Sequence, residues 1–355
     1  LQTNLALIPI KKNMTSRLTQ PPKILYLSKS DIIQLCGNSS QLYIDAVSHA
    51  LVLHAEGKIV QPLKPYLRWR GDENHIADRI IAMPAYLGGD NPVAGLKWVG
   101  SKHDNPSVHG IDRASAIIIL NDTQTHYPIA ILEGSLISGM RTAAVTSVAA
   151  KYLARTGFSR VTCIGCGPIA KMQLLTILEQ FPLITSIYLF DLNSLAAKNL
   201  VLELNQHFPG VEYHIAATAE EAVRQGEVVI TCTVTDKPYI PYEWLQKGTF
   251  VSNISIMDLH KEVFLKADKV VVDDWEQSNR EKKIINQLVI EGSFSREHLH
   301  AELGEIILGN RSGRESNEEI IVLNPMGMAI EDMACSQSIY EKALATGVGF
   351  WLNLD

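Results

Sequence analysis

The spacing of apolar positions changes character near the middle of the chain. In the first part, SQLYIDAVSHALVLHAEG sets Leu42, Ala46, Leu51 and Leu53 at near-helical spacing and stops at Gly57, with Ser39 or Ser40 available as a cap. The runs RIIAMPAYL, VAGLKWVGS, ASAIIILND and YPIAILEG come next, each broken by turn residues, and predict strands of a largely antiparallel sheet. From Ser138 to Arg155, SGMRTAAVTSVAAKYLAR predicts an alanine-rich helix closed by Gly157, a hinge between two domains. Beyond it, short apolar runs alternate with amphipathic segments: RVTCIGCG, PIAKMQLLTILEQF, SIYLFD, SLAAKNLVLELNQHF, VEYHIA, TAEEAVRQG, EVVITCTVT, TFVSNIS and KVVVDD. Such alternation predicts buried parallel strands with crossover helices, a doubly wound α/β domain. The stretch IIVLNPMGMAIEDMACSQSIYEKALATG adds one strand and a long helix, a segment suited to return to the first domain.

The first strand of the second half ends in VTCIGCGPIA. Its Gly165-x-Gly167-x-x-Ala170 spacing fits the dinucleotide fingerprint, in which one glycine turns the chain and the next admits a pyrophosphate. Pro168 and Ile169 open the helix, where the missing proline N–H costs nothing. Asp191 closes the next strand at the distance expected of the acid that binds the adenosine ribose. No arginine stands after it to receive a 2′-phosphate, so NAD is expected rather than NADP.

Composition narrows the function classes. A chain of 355 residues exceeds the usual single core, and a net charge of −6 without long Lys/Arg blocks gives no footprint for nucleic acid. No apolar stretch approaches the roughly 18 residues of a membrane span, and the N-terminal lysines come after the apolar run instead of preceding it. Residues 1–23 are expected to be a disordered extension, and the protein to be cytoplasmic. Five cysteines form no disulfide framework; Cys163 and Cys166 lack the second ligand pair that zinc requires, and no metal is expected.

With RTAAVTSVAAKYLAR, the glycine turn and NISIMD, the chain resembles the ornithine cyclodeaminase/μ-crystallin family after residue 24. The stretches QPLKPYLR, DRIIAMP, KWVGSKHDNP, ITCTVTDKPYI, VVVDDWEQSNREKK and LNPMGMAIED look like a dehydrogenase branch of it. The resemblance implies a Rossmann-type NAD domain at 141–319. It also implies an α+β substrate-binding and dimerisation domain formed by 24–140 with 320–355, and a homodimer acting on a small amino-acid substrate. It further implies that NAD oxidises a glutamate Cα–N bond and that hydrolysis of the imine yields 2-oxoglutarate and 2,3-diaminopropionate for siderophore or antibiotic assembly. Two other activities known in such a family are a cyclodeaminase that returns NAD oxidised and a binding protein without a dedicated reaction. The cyclodeaminase's Cys-Pro-Gly-Lys is replaced here by Leu259-His260-Lys261, a departure that argues against cyclisation.

Several residues carry the expected chemistry. Arg141, read as lying in the first turn of a helix capped by Ser138, suits a carboxylate clamp or a structural ion pair with Glu133. Lys97 interrupts the apolar strand GLKWVG and either faces outward or is buried with a partner. The family resemblance places both in the substrate pocket, with Lys64 and Arg79 near it. Asp258, beyond the strand FVSNISIM, is either a general acid/base or the N-cap of LHKEVFLKA, and the resemblance selects catalysis. His260 has a titratable ring but sits in a loop. Thr233, Val234 and Thr235 end the strand EVVITCTVT, where they either approach the nicotinamide ribose or form an ordinary strand end.

Overall fold

The computed structural model describes residues 23–36, 39–69, 75 and 78–354. The expectation for the N-terminal extension lies outside these residues, apart from Lys23. The chain runs through β1 (Ile24–Leu27), α1 (Lys29–Cys36), α2 (Gln41–Ala55), β2 (Ile59–Val60), β3 (Tyr66–Leu67) and β4 (Arg79–Leu87). It continues through β5 (Val93–Ser101), α3 (Asn105–Val108), β6 (Ala114–Asn121) and β7 (Pro128–Glu133) into the long helix α4 (Gly134–Leu153). Next come β8 (Arg160–Ile164), α5 (Pro168–Gln180), β9 (Ser186–Phe190), α6 (Ser194–His207), β10 (Glu212–Ile215), α7 (Ala219–Gln225), β11 (Val228–Thr231) and β12 (Phe250–Asn253). The remainder is α8 (Lys261–Lys266), β13 (Lys269–Val272), α9 (Trp275–Ser278), α10 (Ile284–Ile290), β14 (Ala301–Glu302), α11 (Leu303–Ile307), β15 (Ile321–Leu323), α12 (Ala329–Thr346) and β16 (Phe350–Leu352).

Two sheets result. The first, in the order β16-β1-β7-β6-β5-β4-β2 with β3 also on β4, is antiparallel except where β1 runs parallel to β7. The second, in the order β10-β9-β8-β11-β12-β15-β13-β14, is parallel throughout. Strand order reverses between β8 and β11, the kind of switch point outside which open α/β sheets bind ligands. Alternation explains why these strands are apolar on both sides. Val228, Ile230 and Val271 join a core shared with α4 and the first sheet, while Val229, Val270 and Val272 join a second core on the opposite face.

Two sequence expectations change. Helix α4 begins at Gly134, not Ser138, because the Glu133 carboxylate accepts from the Ser135 and Leu136 N–H groups and supplies the cap. Ile321–Leu323, read with the returning segment, instead pairs between β12 and β13; its wholly buried, apolar side chains suit a strand covered on both faces. The return to the first sheet is made by the chain after β15 alone: α12 packs on α2, β4 and β5, and β16 pairs with β1.

That return depends on close approach at Gly95. A Cβ there would overlap the Ile119 carbonyl oxygen on β6 and the Met333 sulfur on α12. Gly95→Ala should therefore lower stability by about 1–3 kcal/mol, as overpacking of a tight core does, read as a lower midpoint of thermal unfolding than in the wild type.

Candidate active site

The turn after β8 is shaped for a large anion. Gly165 has φ +86°, and a Cβ on it would stand 2.7 Å from the Cys232 carbonyl oxygen, so a side chain is excluded on both counts. Gly167 precedes α5 with no side-chain cap, and a Cβ there would meet nothing within 4 Å. Pro168 has no N–H to leave unpaired, so the first turn of α5 offers the orphan N–H groups of Ile169 and Ala170 beside this open ground, where the helix dipole favours phosphate. Beside it, Asp191 accepts from the Cys166 and Asn193 N–H groups, each at 2.7 Å, which fixes its carboxylate at the edge of the turn. Leu192 next to it is exposed and Asn193 caps α6. These residues fit a dinucleotide: open ground at the helix terminus for the pyrophosphate and a fixed acceptor for ribose hydroxyls.

Thr233, Val234 and Thr235 lie beyond β11, which stops at Thr231, so they form a loop instead of ending the strand as the sequence suggested. Local hydroxyl bonds turn the chain away. Thr233 Oγ1 accepts from the Thr235 N–H at 3.2 Å and donates to Asp258 Oδ1 at 2.8 Å, and Thr235 Oγ1 donates to the Lys237 carbonyl. Val234 is half exposed.

In front of the turn lies a cleft of about 720 Å³ whose lining includes Lys64, Arg79, Lys97, Arg141, Pro168 and Ile169. Lys97 faces inward on β5 while its neighbour Trp98 faces out, which removes the outward reading. Its Nζ donates to Asp332 Oδ2 at 2.6 Å and to Ser138 Oγ at 3.1 Å. Lys64 donates to the Met326 and Gly327 carbonyls. Burial pulls both lysines down to a pKa of about 8, against the opposing pull of nearby carboxylates.

Arg141 lies two turns inside α4, away from the helix dipole's N-terminal end. It is held by α12 through two of its three nitrogens: Nη1 donates to Glu331 at 2.8 Å and Nε to Asp332 at 3.3 Å. The expected partner Glu133 is instead the cap of α4. Burial works against the arginine's charge, but Asp332, Glu331 and Asp273 outweigh it and hold the pKa above its ordinary value. Burial likewise lifts Glu331 to about 7. Asp273 accepts the Met326 and Gly327 N–H groups, so the loop before α12 is tied to the end of β13.

Asp258 is fully buried and is not itself among the lining residues, although Ile254 and Ile256 of the same loop line the cleft. Its Oδ1 accepts from Thr233 and, at 2.9 Å, from the Tyr239 hydroxyl. Its Oδ2 is buried without a partner among the described residues. Burial raises its pKa, and hydroxyl donors only partly offset that shift. The helix α8 starts at Lys261 with His260 as its N-cap position, so Asp258 is not a cap. Main-chain bonds from Tyr239 and Ile240 to the Asp258 carbonyl clamp the loop, and Ile256 within it has φ +64°, a strained value for a β-branched residue.

The structure thus gathers Lys64, Arg79, Lys97 and Arg141 with Pro168 and Ile169 in one cleft, joins Asp258 to Thr233 by a hydrogen bond outside its lining, and places Gly165, Gly167 and Asp191 at the turn beside it. Sequence reasoning missed Asp273, Glu331 and Asp332, the counter-charges, and Lys283, a buried lysine on the cleft. Two adjacent acids in the first turn of a helix, directly before the apolar stretch Met333–Cys335, were the available signal.

Comparison with known proteins agrees with this architecture. Residues 27–347 match the model of the ornithine cyclodeaminase/mu-crystallin family. The chain is 58% identical over 332 residues to N-((2S)-2-amino-2-carboxyethyl)-L-glutamate dehydrogenase of Staphylococcus aureus, covering 94% of this chain and 99% of that one. Among solved structures, an archaeal alanine dehydrogenase dimer with bound NAD superposes with a TM-score of 0.83 at 35% identity, covering 94% of this chain and 100% of that one. The Δ(1)-pyrroline-2-carboxylate reductase of Thermococcus litoralis, in complex with NADH and L-proline, gives 0.85 at 33% identity over 92% and 99%. By its sequence, its sheet order and its glycine turn, the chain belongs to the ornithine cyclodeaminase/mu-crystallin family.

Proposed function

We propose that this protein is an NAD-dependent dehydrogenase that converts N-((2S)-2-amino-2-carboxyethyl)-L-glutamate and water into 2-oxoglutarate and L-2,3-diaminopropionate. The observation that carries this reading is the cleft lined by Lys64, Arg79, Lys97 and Arg141 beside the glycine turn, a setting for an anionic amino acid next to a dinucleotide. Ornithine, with two ammonium groups and a single carboxylate, is poorly suited to it. The diaminopropionate serves as a precursor for siderophore or antibiotic assembly. We place the enzyme in the cytoplasm as a homodimer, with the first sheet and α12 as its substrate-binding and dimerisation domain. Trp98 and Ile117, paired across β5 and β6 and exposed, offer an apolar face for that dimer.

The α5 N-terminus, Asp191 and the Thr233–Thr235 loop would hold NAD, which would supply a hydride acceptor for the glutamyl Cα. The cationic groups hold the substrate's carboxylates. Arg141 spends Nε and Nη1 on Asp332 and Glu331, which orients the guanidinium and leaves its Nη2 edge for a ligand oxygen. Asp258, with a raised pKa and one unpartnered oxygen, takes a proton from the water that attacks the imine and returns it to the departing amine.

Three outcomes test this reading. NAD should bind at least about tenfold more tightly than NADP, a difference of about 1.4 kcal/mol, because the Asp191 carboxylate repels a 2′-phosphate; titration of both cofactors checks it, and equal affinity refutes it. Asp258→Asn keeps an acceptor for Thr233 and Tyr239, so the variant should fold and bind NAD while release of 2-oxoglutarate falls by about a hundredfold or more. Unchanged release from a stable variant would remove Asp258 from the chemistry. Arg141→Lys should lower kcat/KM by at least about tenfold, since one ammonium cannot serve Glu331, Asp332 and a ligand carboxylate together; steady-state NADH formation measures it.

A further inference from the structure

The charges around the cleft divide into two groups of different balance. At the inner end, Lys64, Lys97 and Arg141 stand against the three carboxylates of Asp273, Glu331 and Asp332. The outer end gathers around the ring of Tyr66. Arg68, Arg280 and Arg79 approach its centroid at 4.8, 5.6 and 5.8 Å, and Lys283 and Arg113 line the cleft beside it. Among the described residues the carboxylates near this group are Glu281, which pairs with Arg68 at 2.8 Å and with Arg280 at 3.7 Å, and Asp112, which lines the cleft next to Arg113 without pairing with it. Neither Lys283 nor Arg113 has a carboxylate within 4.0 Å among those residues.

Lys283 is 5% exposed, and a buried ammonium without a counter-ion is costly unless a ligand supplies one. Burial first, then Arg79 and Arg68, with Lys64 adding to them and Glu281 opposing, pull its pKa to about 7. Burial alone lowers Arg113, and Arg113 in turn acts on Arg79. Lys283 and Arg113, on a concave surface and without a carboxylate partner among the described residues, are the complement of a carboxylate that has no cation of its own.

We propose that Lys283, with Arg79 and Arg113, forms a second carboxylate subsite that holds the γ-carboxylate of the substrate's glutamyl part and so sets the choice of substrate. The inference rests on the reaction proposed for this cleft. Of the two carboxylates remote from the reacting carbon, the one on the 2-amino-2-carboxyethyl end carries its own ammonium, whereas the γ-carboxylate is uncompensated. The cationic end of the cleft therefore suits the latter. Amino acids with a single carboxylate would leave this subsite empty.

The test is calorimetric binding to the NADH-loaded protein, which needs no turnover. The ligands are N-(2-amino-2-carboxyethyl)-L-glutamate, the analogue with a 2-aminobutyrate unit in place of glutamate, and the analogue lacking the other remote carboxylate. The wild type should bind the parent at least about tenfold more tightly than the 2-aminobutyrate analogue, the scale of one charged hydrogen bond. Lys283→Gln should erase that difference, Lys283→Arg should keep most of it, and Arg113→Gln should reduce it. Thermal midpoints and NADH affinity establish that each variant is folded. Equal wild-type affinity for the parent and the 2-aminobutyrate analogue overturns the subsite, as does an equal weakening of both by Lys283→Gln. A loss confined to the analogue without the other carboxylate also overturns the assignment. NADH formation from the parent, measured alongside, judges the reaction separately: a γ-carboxylate preference without turnover refutes the reaction and upholds the subsite.

Discussion

Everything at the junction of the two sheets depends on keeping buried positive charge compensated. Lys97 comes from β5 and Arg141 from α4, yet both are answered by neighbouring acids on α12, the helix that returns from the second sheet. Taking such ions out of water costs several kcal/mol each, and removing one member of a buried pair typically costs about 3–5 kcal/mol. The pairs therefore constrain the chain path strongly: α12 must lie where Glu331 and Asp332 reach both cations. Asp273, at the end of β13, extends the constraint by holding the Met326 and Gly327 N–H groups while Lys64 takes their carbonyls.

This compensation also makes a cleft rich in cations compatible with a folded protein. The inner group is close to neutral in sum and can bind a carboxylate through donors left over from its ion pairs. At the outer end positive charge is held apart partly by exposure, as with Arg68, and partly by loss of a proton from a desolvated lysine. The two ends thus make different demands on an anion: the inner one orients it, the outer one gains a missing counter-charge.

The opposite wall is supplied by the parallel sheet. Its loops after β8, β11 and β12 all emerge at the same end because the strands are parallel, which brings Gly165, Thr233 and Asp258 to one side of the cleft. Strain at Ile256 and the clamp between Tyr239–Ile240 and Asp258 hold a buried carboxylate beside that wall, in surroundings that favour its protonated form.

What the sequence determined by itself is local: the alternation of short apolar runs and amphipathic helices, and the Gly165-x-Gly167 turn with Asp191 at the end of the next strand, whereas it left Lys97 open between an outward and a buried position. Periodicity and turn chemistry act over a few residues, so they can be read along the chain. Other features were decided by tertiary structure. The start of α4 moved to Gly134 because Glu133 was free to cap it once Arg141 had found acids 190 and 191 positions away. Asp258 lost its capping alternative when Thr233 and Tyr239 bound it, Ile321–Leu323 was drawn between two strands of the other sheet, and Lys283 became a cleft residue only through folding. A charge has no period, and its partner is fixed by which segments burial brings together; no local pattern in the chain encodes that choice.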